Sequence, residues 1–561
     1  MRHLWRRISY CAIGTIALGA LVAFALGQGP VVDDAPVSVR FSVPPGFYDD
    51  PFDLELESDG GDIYYTLDSS DPDANGIRYT GPIRIQDASP NENLYSAITD
   101  VSAYLNPELV TQNGVTEIHH YQVPDQPVDK ATVVRAVSVD HNGNPGEACE
   151  AVYFVGFGDK TGYEGINVMS IVTDPVNLFD PDKGIYVLGN KFAETVKDGY
   201  VVDGKPHVFT WKANYMQKGR DWERPAYIHC FDQDGATVFS GRYGIRIQGK
   251  ATRANLPKNL NIYARKQYGS PSMDTGSLFG TGYALDWLTL YYGSDELLIA
   301  DDLVEALTDS LDFADREFAP CALFLDGEYW GVYWLAPRFK ADYMSQKYGV
   351  DPRNIVEIKP DSVEVGHAED IDLYHEMLEY IAGGDMSDPV KYERACELVD
   401  IQSCVDYYAV EIYIANTDWP TNNLALWRAR YIADGPFSDG RWRWILFDVA
   451  RGMRHECAEL DSLKNAVNRD PMFASLMKNA EFSAAIRQKL IELAENTFAP
   501  ERVDEFIDRY KLRMADPIEK KYRRFSHETM TLKKFKKGCD RIKKFFVKRC
   551  SYIKENYGGV E

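Results

Sequence analysis

Apolar and polar residues alternate in short runs over the first part of the chain. β-Rich runs of this kind cover residues 37–43, 63–67 and 131–139. Turn-forming residues separate the runs, most densely over residues 68–76. Short strands bounded by turn formers are typical of small β-sandwiches. The pattern therefore predicts an Ig-like β-sandwich, with residues 37–160 as an accessory module.

The turn-forming residues 68–76 also match part of a calcium-binding loop. Asp71, Asp73, Asn75 and Gly76 fit the first half of an EF-hand, but the twelfth position is Pro82. An EF-hand loop needs a glutamate there as a bidentate ligand. A hairpin turn is therefore the better interpretation of this segment.

From about residue 165 the pattern changes to longer apolar runs and helical spacing. The predicted elements are strands at 166–172 and 242–248, a helix at 297–313, a hairpin of strands 322–325 and 329–335 joined by Asp326-Gly327, helices through 365–415, a strand at 442–447, and helices from there to the end. Strands first and helices later predict an α+β domain over residues 161–561. This domain would have two lobes, one rich in sheet and one rich in helix.

The N-terminal segment predicts export from the cytoplasm. Residues 8–27 are apolar and uncharged, with three arginines before them and Asp33 and Asp34 after them. A stretch of this length is close to that which spans a bilayer, and preceding basic residues place the rest of the chain outside the cytoplasm. Ala23 and Ala25 also fit a signal-peptide cleavage site. Residues 1–36 are therefore either a cleaved export signal or a membrane anchor, with a linker, and the protein is secreted or membrane-anchored.

Composition narrows the class of function. The net charge of −24 argues against nucleic acid as a partner, because phosphate contacts need clustered Lys and Arg. Nine cysteines include no Cys-x-x-Cys pair, which leaves zinc ribbons and thioredoxin-type sites unsupported. Cys539 and Cys550 share the apolar face of a predicted helix, too far apart along it for a disulfide. Both are predicted to be core residues.

Two acidic segments carry the clearest chemical pattern. Asp418 and Asn423 lie within residues 416–423, after a predicted helix, and Asp448 follows the apolar run 442–447. Protein kinases use the same order of groups, with an Asp that receives the hydroxyl proton, an Asn that binds metal, and a second Asp that binds magnesium. Taken singly, Asp418 also fits a turn and Asp448 the end of a strand. Together they predict a site for phosphoryl transfer.

A second segment fits phosphate binding of another kind. Residues 244–250 approach a P-loop pattern, but Ala251 stands where the magnesium-binding hydroxyl belongs, so a P-loop is rejected. The residues after this strand still allow backbone N–H groups to approach an anion. The predicted phosphate-binding residues are Gly249, Lys250, Thr252, Arg253 and Lys258. Taken alone, Lys258 is better explained as an exposed surface lysine, since lysines are mostly exposed.

Several motifs in one order resemble the CotH family of spore-coat-type kinases, over residues 165–555. The matching segments are 244–253, 257–258, 261–265, 326–333, 416–423 and 442–448. The resemblance implies a kinase-like fold, ATP and Mg²⁺ or Mn²⁺ as cofactors, and Ser or Thr of a protein as phosphate acceptor. It also implies that Lys258 holds ATP phosphates, that Asp418 orients the acceptor hydroxyl, and that Asn423 and Asp448 hold metal.

The preceding module resembles the β-sandwich attached to chitobiase-like and other bacterial surface proteins. The matching segments are 46–48, 63–68, 70–72 and 79–83. This resemblance implies an accessory or spacer, with a cell-surface or glycan contact as its expected partner and no chemistry of its own.

Three departures from the family pattern leave an alternative open. Ala450 stands where many relatives have a second Asp, Pro337 stands near an expected Glu, and Lys250 replaces an Asn. The change at Pro337 leaves Lys258 without an identified acidic partner. The alternative is therefore a catalytically inactive kinase fold that serves as a surface or coat scaffold, since a fold does not determine a function.

Overall fold

The structure is a computed structural model that describes residues 38–106, 121–198, 212–276, 278–293, 300–525 and 531–558. The predicted export segment lies outside these ranges. Within them, no helix has both the length and the apolar character needed to cross a bilayer. Sheets and helices are both present, which confirms the α+β class.

A β-rich module occupies the first part of the described chain. Its strands are β1 Val39–Phe41, β2 Gly46–Tyr48, β3 Phe52–Leu54, β4 Leu56–Ser58, β5 Asp62–Thr66, β6 Ile77–Arg78, β7 Ile83–Ile85, β8 Thr132–Val139 and β9 Cys149–Val155. Five of them form one sheet in the order β2-β9-β8-β5-β6, and β1-β4 and β3-β7 form two further pairs. The turn cluster joins the antiparallel strands β5 and β6 through a one-turn helix, α1 Pro72–Asn75. This confirms the hairpin interpretation over the calcium loop.

A closed barrel of seven strands follows the module. Its strands are β10 Asn167–Val172, β11 Arg224–Phe231, β12 Thr237–Ile247, β13 Leu260–Tyr263, β16 Trp287–Tyr291, β17 Ala319–Leu325 and β18 Glu328–Pro337. The order is β10-β11-β12-β13-β16-β18-β17, and the parallel pair β10-β17 closes it. Helices α2 Pro175–Phe179, α3 Gly189–Asp198 and α4 Ala300–Thr308 and the small hairpin β14 Met273–Asp274 with β15 Ala284–Leu285 occupy the connections.

Barrel strands are buried on both faces, with different partners on each. Along β10, Met169 and Ile171 belong to one apolar cluster that draws residues from every barrel strand. Val168 and Val172, which point the opposite way, belong to a second cluster shared with the helices and the module. The β17-β18 hairpin turns at Asp326 and Gly327, whose φ angles of 48° and 84° are those of a type I′ turn. A Cβ on Gly327 would lie 2.8 Å from the Ala131 carbonyl oxygen, so the module approaches this turn closely.

The last part of the chain is mainly helical around a four-stranded sheet. The helices are α5 Ala341–Tyr348, α6 Asp370–Gly383, α7 Pro389–Leu398, α8 Ile401–Tyr413, α9 Ser462–Arg469, α10 Pro471–Leu476, α11 Ala480–Glu492, α12 Pro500–Phe525 and α13 Leu532–Tyr557. The sheet has the order β20-β19-β21-β22, with β19 Ile355–Lys359, β20 Ser362–Val365, β21 Leu426–Ala429 and β22 Arg443–Trp444. Cys539 and Cys550 are buried and free, as predicted.

Two predicted elements are shorter than the sequence pattern indicates. The strand expected at 442–447 reduces to Arg443–Trp444, because the flanking residues pair with isolated partners in Ala314 and Val399 and not with a long strand. The helix expected at 297–313 is described from Ala300 and ends at Thr308, where the Leu311 N–H donates to the Thr308 carbonyl in a turn.

Candidate active site

A cleft of about 1220 Å³ lies between the barrel and the helical part of the chain. The loop after β12, the ends of barrel strands and the start of α4 line one side. The sheet strand β19 and the segments around residues 418–425 and 445–450 line the other. This volume is large enough for a cofactor-sized ligand, since ligand pockets commonly occupy about 300–1,000 Å³.

The loop that follows β12 places backbone and small side chains at the cleft. Gly249, Lys250, Thr252 and Arg253 all line it, as the sequence predicts. Gly249 has a φ of 114°, and a Cβ there would lie 2.1 Å from Thr252 Oγ1. Only glycine fits this turn, so the backbone can approach a ligand closely.

Arg253 holds the loop together. Its Nε donates to the Gly249 carbonyl at 2.6 Å and its Nη1 to the Gln217 carbonyl at 2.7 Å. The guanidinium therefore fixes the shape of the loop from behind. Lys250, by contrast, is exposed at the edge of the cleft.

Lys258 does not face the cleft. Its side chain is 0% exposed, and its Nζ donates to the carbonyls of Arg253 and Asn255 at 2.9 and 3.1 Å. It also lies 3.7 Å from the centre of the Tyr215 ring. Burial lowers the pKa of Lys258 well below its usual value. The prediction that Lys258 contacts phosphate is therefore wrong for this structure, because residue spacing does not determine which way a side chain points.

Other cations face the cleft in its place. Arg246, Arg316, Arg338 and Lys359 line it. Arg316 and Arg338 both donate to the Tyr291 hydroxyl, at 3.0 and 3.1 Å. Burial alone would raise the pKa of Tyr291, but the two guanidinium groups outweigh it and lower that pKa. The cleft therefore carries a fixed concentration of positive charge suited to an anionic ligand.

Asp418, Asn423 and Asp448 converge on the opposite side of the cleft. Asn423 Nδ2 lies 3.4 Å from both Asp418 Oδ2 and the Asp448 carbonyl oxygen. A shorter bond of 2.8 Å joins Asn422 Nδ2 to Asp418 Oδ1. Asn423 and Asp448 have φ angles of 58° and 56°, in the left-handed region that is uncommon for non-glycine residues, although Asn and Asp adopt it more often than most. Strained backbone of this kind is concentrated at functional sites.

Further acidic groups surround Asp448. Enclosure by the cleft walls, and then the charge of Asp418, raise the pKa of Asp448. Asp301 accepts a hydrogen bond from the Val449 N–H at 2.9 Å, and burial followed by the charge of Asp448 raises its pKa to about 6. Glu411 lies beneath them, and burial raises its pKa to about 8. Asp301 belongs to no recognisable sequence motif, although the helix that carries it was predicted.

The acidic side of the cleft fits a magnesium-type ion. Among the described residues, no group of three or more His, Cys, Asp or Glu side chains is arranged to bind a metal. Mg²⁺ does not require one, since it commonly takes one or two carboxylates together with phosphate oxygens and water. Burial is the main cause of the raised pKa values of Asp448 and Asp301, and the charge of a neighbouring carboxylate adds to each, Asp418 at Asp448 and Asp448 at Asp301. A divalent cation would offset this repulsion between carboxylates.

A buried arginine from the end of the chain positions this acidic segment. Arg549 is 1% exposed and donates to the carbonyls of Ile412 and Tyr413 at 2.6 and 2.9 Å. It also donates to the carbonyls of Ala458 and Leu460. The first two are among the last carbonyls of α8, which have no partner within the helix. Arg549 therefore holds the end of α8 from which residues 416–423 depart.

Comparison with known families matches two parts of the chain. A family model described as CotH kinase protein matches residues 245–553, which is more than half of the sequence. A model described as Fn3 associated matches residues 52–153, so the chitobiase-like label for the module is not confirmed. No curated protein matches the chain. The first match contains every predicted site residue.

Proposed function

This chain belongs to the CotH kinase protein family, and we propose that it transfers the γ-phosphoryl group of ATP to a Ser or Thr hydroxyl of a protein. The observation that carries the proposal is the convergence of Asp418, Asn423 and Asp448 on the cleft, opposite the loop at Gly249. In this proposal the barrel and helical parts correspond to the two lobes of a kinase.

The loop and the cations bind and orient the triphosphate. Backbone N–H groups near Gly249 approach the phosphate oxygens, and Arg316 and Lys359 supply positive charge next to Asp448. Asn423 and Asp448 would hold Mg²⁺ or Mn²⁺, which would supply positive charge to offset that of the phosphates. The oxygen of the acceptor hydroxyl bonds to the γ-phosphorus, and Asp418 receives the proton that this hydroxyl loses. The bond from that phosphorus to the bridging oxygen breaks, and ADP leaves.

An inactive scaffold is the second candidate function. Ala450 lines the cleft at the position where many relatives carry a carboxylate, and Lys258 lies outside the cleft. Both observations favour a cleft that binds a ligand without transferring phosphate. For either function, we propose that the protein acts outside the cytoplasm, either secreted or anchored to the membrane. The module would contact the cell surface or a glycan.

The experiment measures transfer of radiolabelled γ-phosphate to protein, with the modified residues mapped by mass spectrometry. The purified wild type is compared with Asp418→Asn and Asp448→Asn. We expect each variant to lose activity by about 10²–10³-fold or more, because positioning and charge stabilisation provide most of the catalysis.

The matched control is Asp434→Asn, at an exposed carboxylate outside the cleft lining. It should retain wild-type activity. Transfer that is unchanged in Asp448→Asn would remove its assigned role. Binding of ATP by a wild type that transfers no phosphate would favour the scaffold.

A further inference from the structure

Glu357 is a carboxylate that the proposed chemistry does not use. It lies on β19, is 5% exposed, and lines the cleft two residues from Lys359. Because side chains two apart on a strand point to the same face, Glu357 and Lys359 face the cleft together, about 7 Å apart along the strand.

One oxygen of Glu357 has no partner. Among the described residues, Oε2 is buried without a hydrogen bond. Burial raises the pKa of Glu357 to about 7, although Lys340, Arg338 and Lys359 act in the opposite direction. A buried acceptor without a partner costs free energy, which a bound donor would recover.

Charged neighbours give Glu357 a defined place along the cleft. Lys359 Nζ lies 5.5 Å from the centre of the Phe447 ring, which precedes Asp448. Lys340 Nζ donates to the Glu364 carbonyl on β20, the strand that pairs with β19 at Glu357. The order is therefore Asp448, Lys359, Glu357, then residues 338–340, which connect the barrel to the helical part. Glu357 therefore lies on the far side of Lys359 from the position proposed for the γ-phosphate.

We propose that Glu357 binds the ribose of the nucleotide by accepting hydrogen bonds from its hydroxyl groups. A carboxylate presents two acceptor oxygens to two neighbouring hydroxyls, the same chemistry by which acidic residues bind the ribose in dinucleotide sites. Aromatic side chains at this end, Trp287 and Phe339, line the cleft beside it and provide apolar surface for a base. The assignment rests on the proposed function, since it takes the ligand to be a nucleotide.

The test compares nucleotides that differ only in the sugar. Affinities for Mg²⁺-bound ATP, 2′-deoxy-ATP and 3′-deoxy-ATP are measured by calorimetry on the full chain. The wild type should bind at least one deoxy nucleotide about 10- to 100-fold more weakly than ATP, the range expected for a lost hydrogen bond to a charged group. In Glu357→Gln this discrimination should fall to a few-fold or less.

Glu364→Gln is the matched control. Glu364 also lines the cleft, on the neighbouring strand β20, but its Oε1 already accepts a hydrogen bond from Ser362 Oγ at 3.0 Å. This variant should discriminate as the wild type does. Inosine triphosphate differs from ATP in the base and not in the sugar. If Glu357→Gln lost discrimination against inosine triphosphate but kept discrimination against the deoxy nucleotides, the ribose assignment would be overturned.

Failure of this inference is distinguishable from failure of the proposed function. If the wild type binds ATP and both deoxy nucleotides with equal affinity, the role of Glu357 is overturned, but the proposal of phosphoryl transfer is unaffected. This result does not depend on the folding of any variant. A wild type that binds none of the three nucleotides overturns both.

Discussion

Some cationic side chains around the cleft present their charge to it, and others donate to the backbone carbonyls that shape it. Arg316 and Lys359 face the cleft, while Lys258 and Arg253 donate to backbone carbonyls of the loop after β12. A positive charge held by carbonyls in this way fixes the loop geometry on which close approach to phosphate depends. The two groups predict different consequences of substitution.

Substitution of Lys258 by Met is expected to act on stability. The carbonyls of Arg253 and Asn255 would lose their donor in a buried place, so the free energy of unfolding should fall by about 1–3 kcal/mol. Urea unfolding measures this, with Lys250→Met, an exposed lysine of the same loop, as a control expected within about 0.5 kcal/mol of wild type. If Lys258→Met kept wild-type stability but lost affinity for ATP, the result would instead support contact between Lys258 and the phosphates.

At the scale of secondary-structure elements, the module and the barrel share one core and several polar contacts. Glu328 at the start of β18 accepts hydrogen bonds from the N–H groups of Leu94 and Ser96, at 2.6 and 2.7 Å. Phe154 of β9 packs against Phe231 and Phe324 of the barrel, with ring centroids 5.9 and 4.9 Å apart. The module is therefore packed against the barrel and not separated from it by a linker.

His229 makes this contact sensitive to acid. It lies on β11 between Tyr227 and Phe231, and burial lowers its pKa from 6.5 to about 4. Above pH 6.5 the imidazole is neutral in both the folded and the unfolded chain, so protonation of His229 does not lower the free energy of unfolding there. As pH falls from 6.5 to 4, the unfolded chain binds the proton first, and the folded state should lose about 3 kcal/mol.

Urea unfolding across this pH range, on wild type and His229→Gln, measures the effect. The variant lacks the titrating group, so the difference in unfolding free energy between the two proteins should change by about 3 kcal/mol. The nearby Glu150 is present in both proteins, so its titration cancels in that difference, and its partners Arg135 and Arg242 stay charged throughout this pH range. Parallel pH profiles would show that His229 is not the group responsible.

How far the elements could be predicted depends on how local their causes are. The β17-β18 hairpin was predictable because Asp326-Gly327 carries its own turn preference. The strand at 442–447 was overestimated because its apolar residues are buried by distant partners at Ala314 and Val399 and not by a continuous ladder. Periodicity reports that a segment is buried, but not what buries it.

The same limit applies to the site residues. Asp418, Asn423 and Asp448 could be found from their spacing, because their order along the chain matches that of the catalytic groups of protein kinases, and all three line the cleft. Arg316 and Glu357 stand in no recognisable motif, and only the folded chain brings them to the same cavity. Lys258 had the expected position in the sequence but the opposite orientation, which spacing does not encode.

At the scale of the whole molecule, the cleft depends on both parts of the chain. The barrel supplies the loop at Gly249 and the cations Arg246 and Arg316, and the helical part supplies Asp418 and Asp448. Because the cleft presents both cations and carboxylates, a ligand that carries both phosphate and a divalent cation matches the cleft as a whole. The central claim is that this cleft binds ATP together with a metal ion held by Asp448.

Calorimetric titration of the full chain with ATP, with and without Mg²⁺, tests this claim most directly. The wild type is predicted to bind ATP at least tenfold more tightly with Mg²⁺ than without it, because the cation would offset the repulsion between the cleft carboxylates and the phosphate groups; tenfold corresponds to about 1.4 kcal/mol. Asp448→Asn should lose that metal-dependent increase. Equal binding in the presence and absence of Mg²⁺, or an increase that survives in Asp448→Asn, would contradict the account.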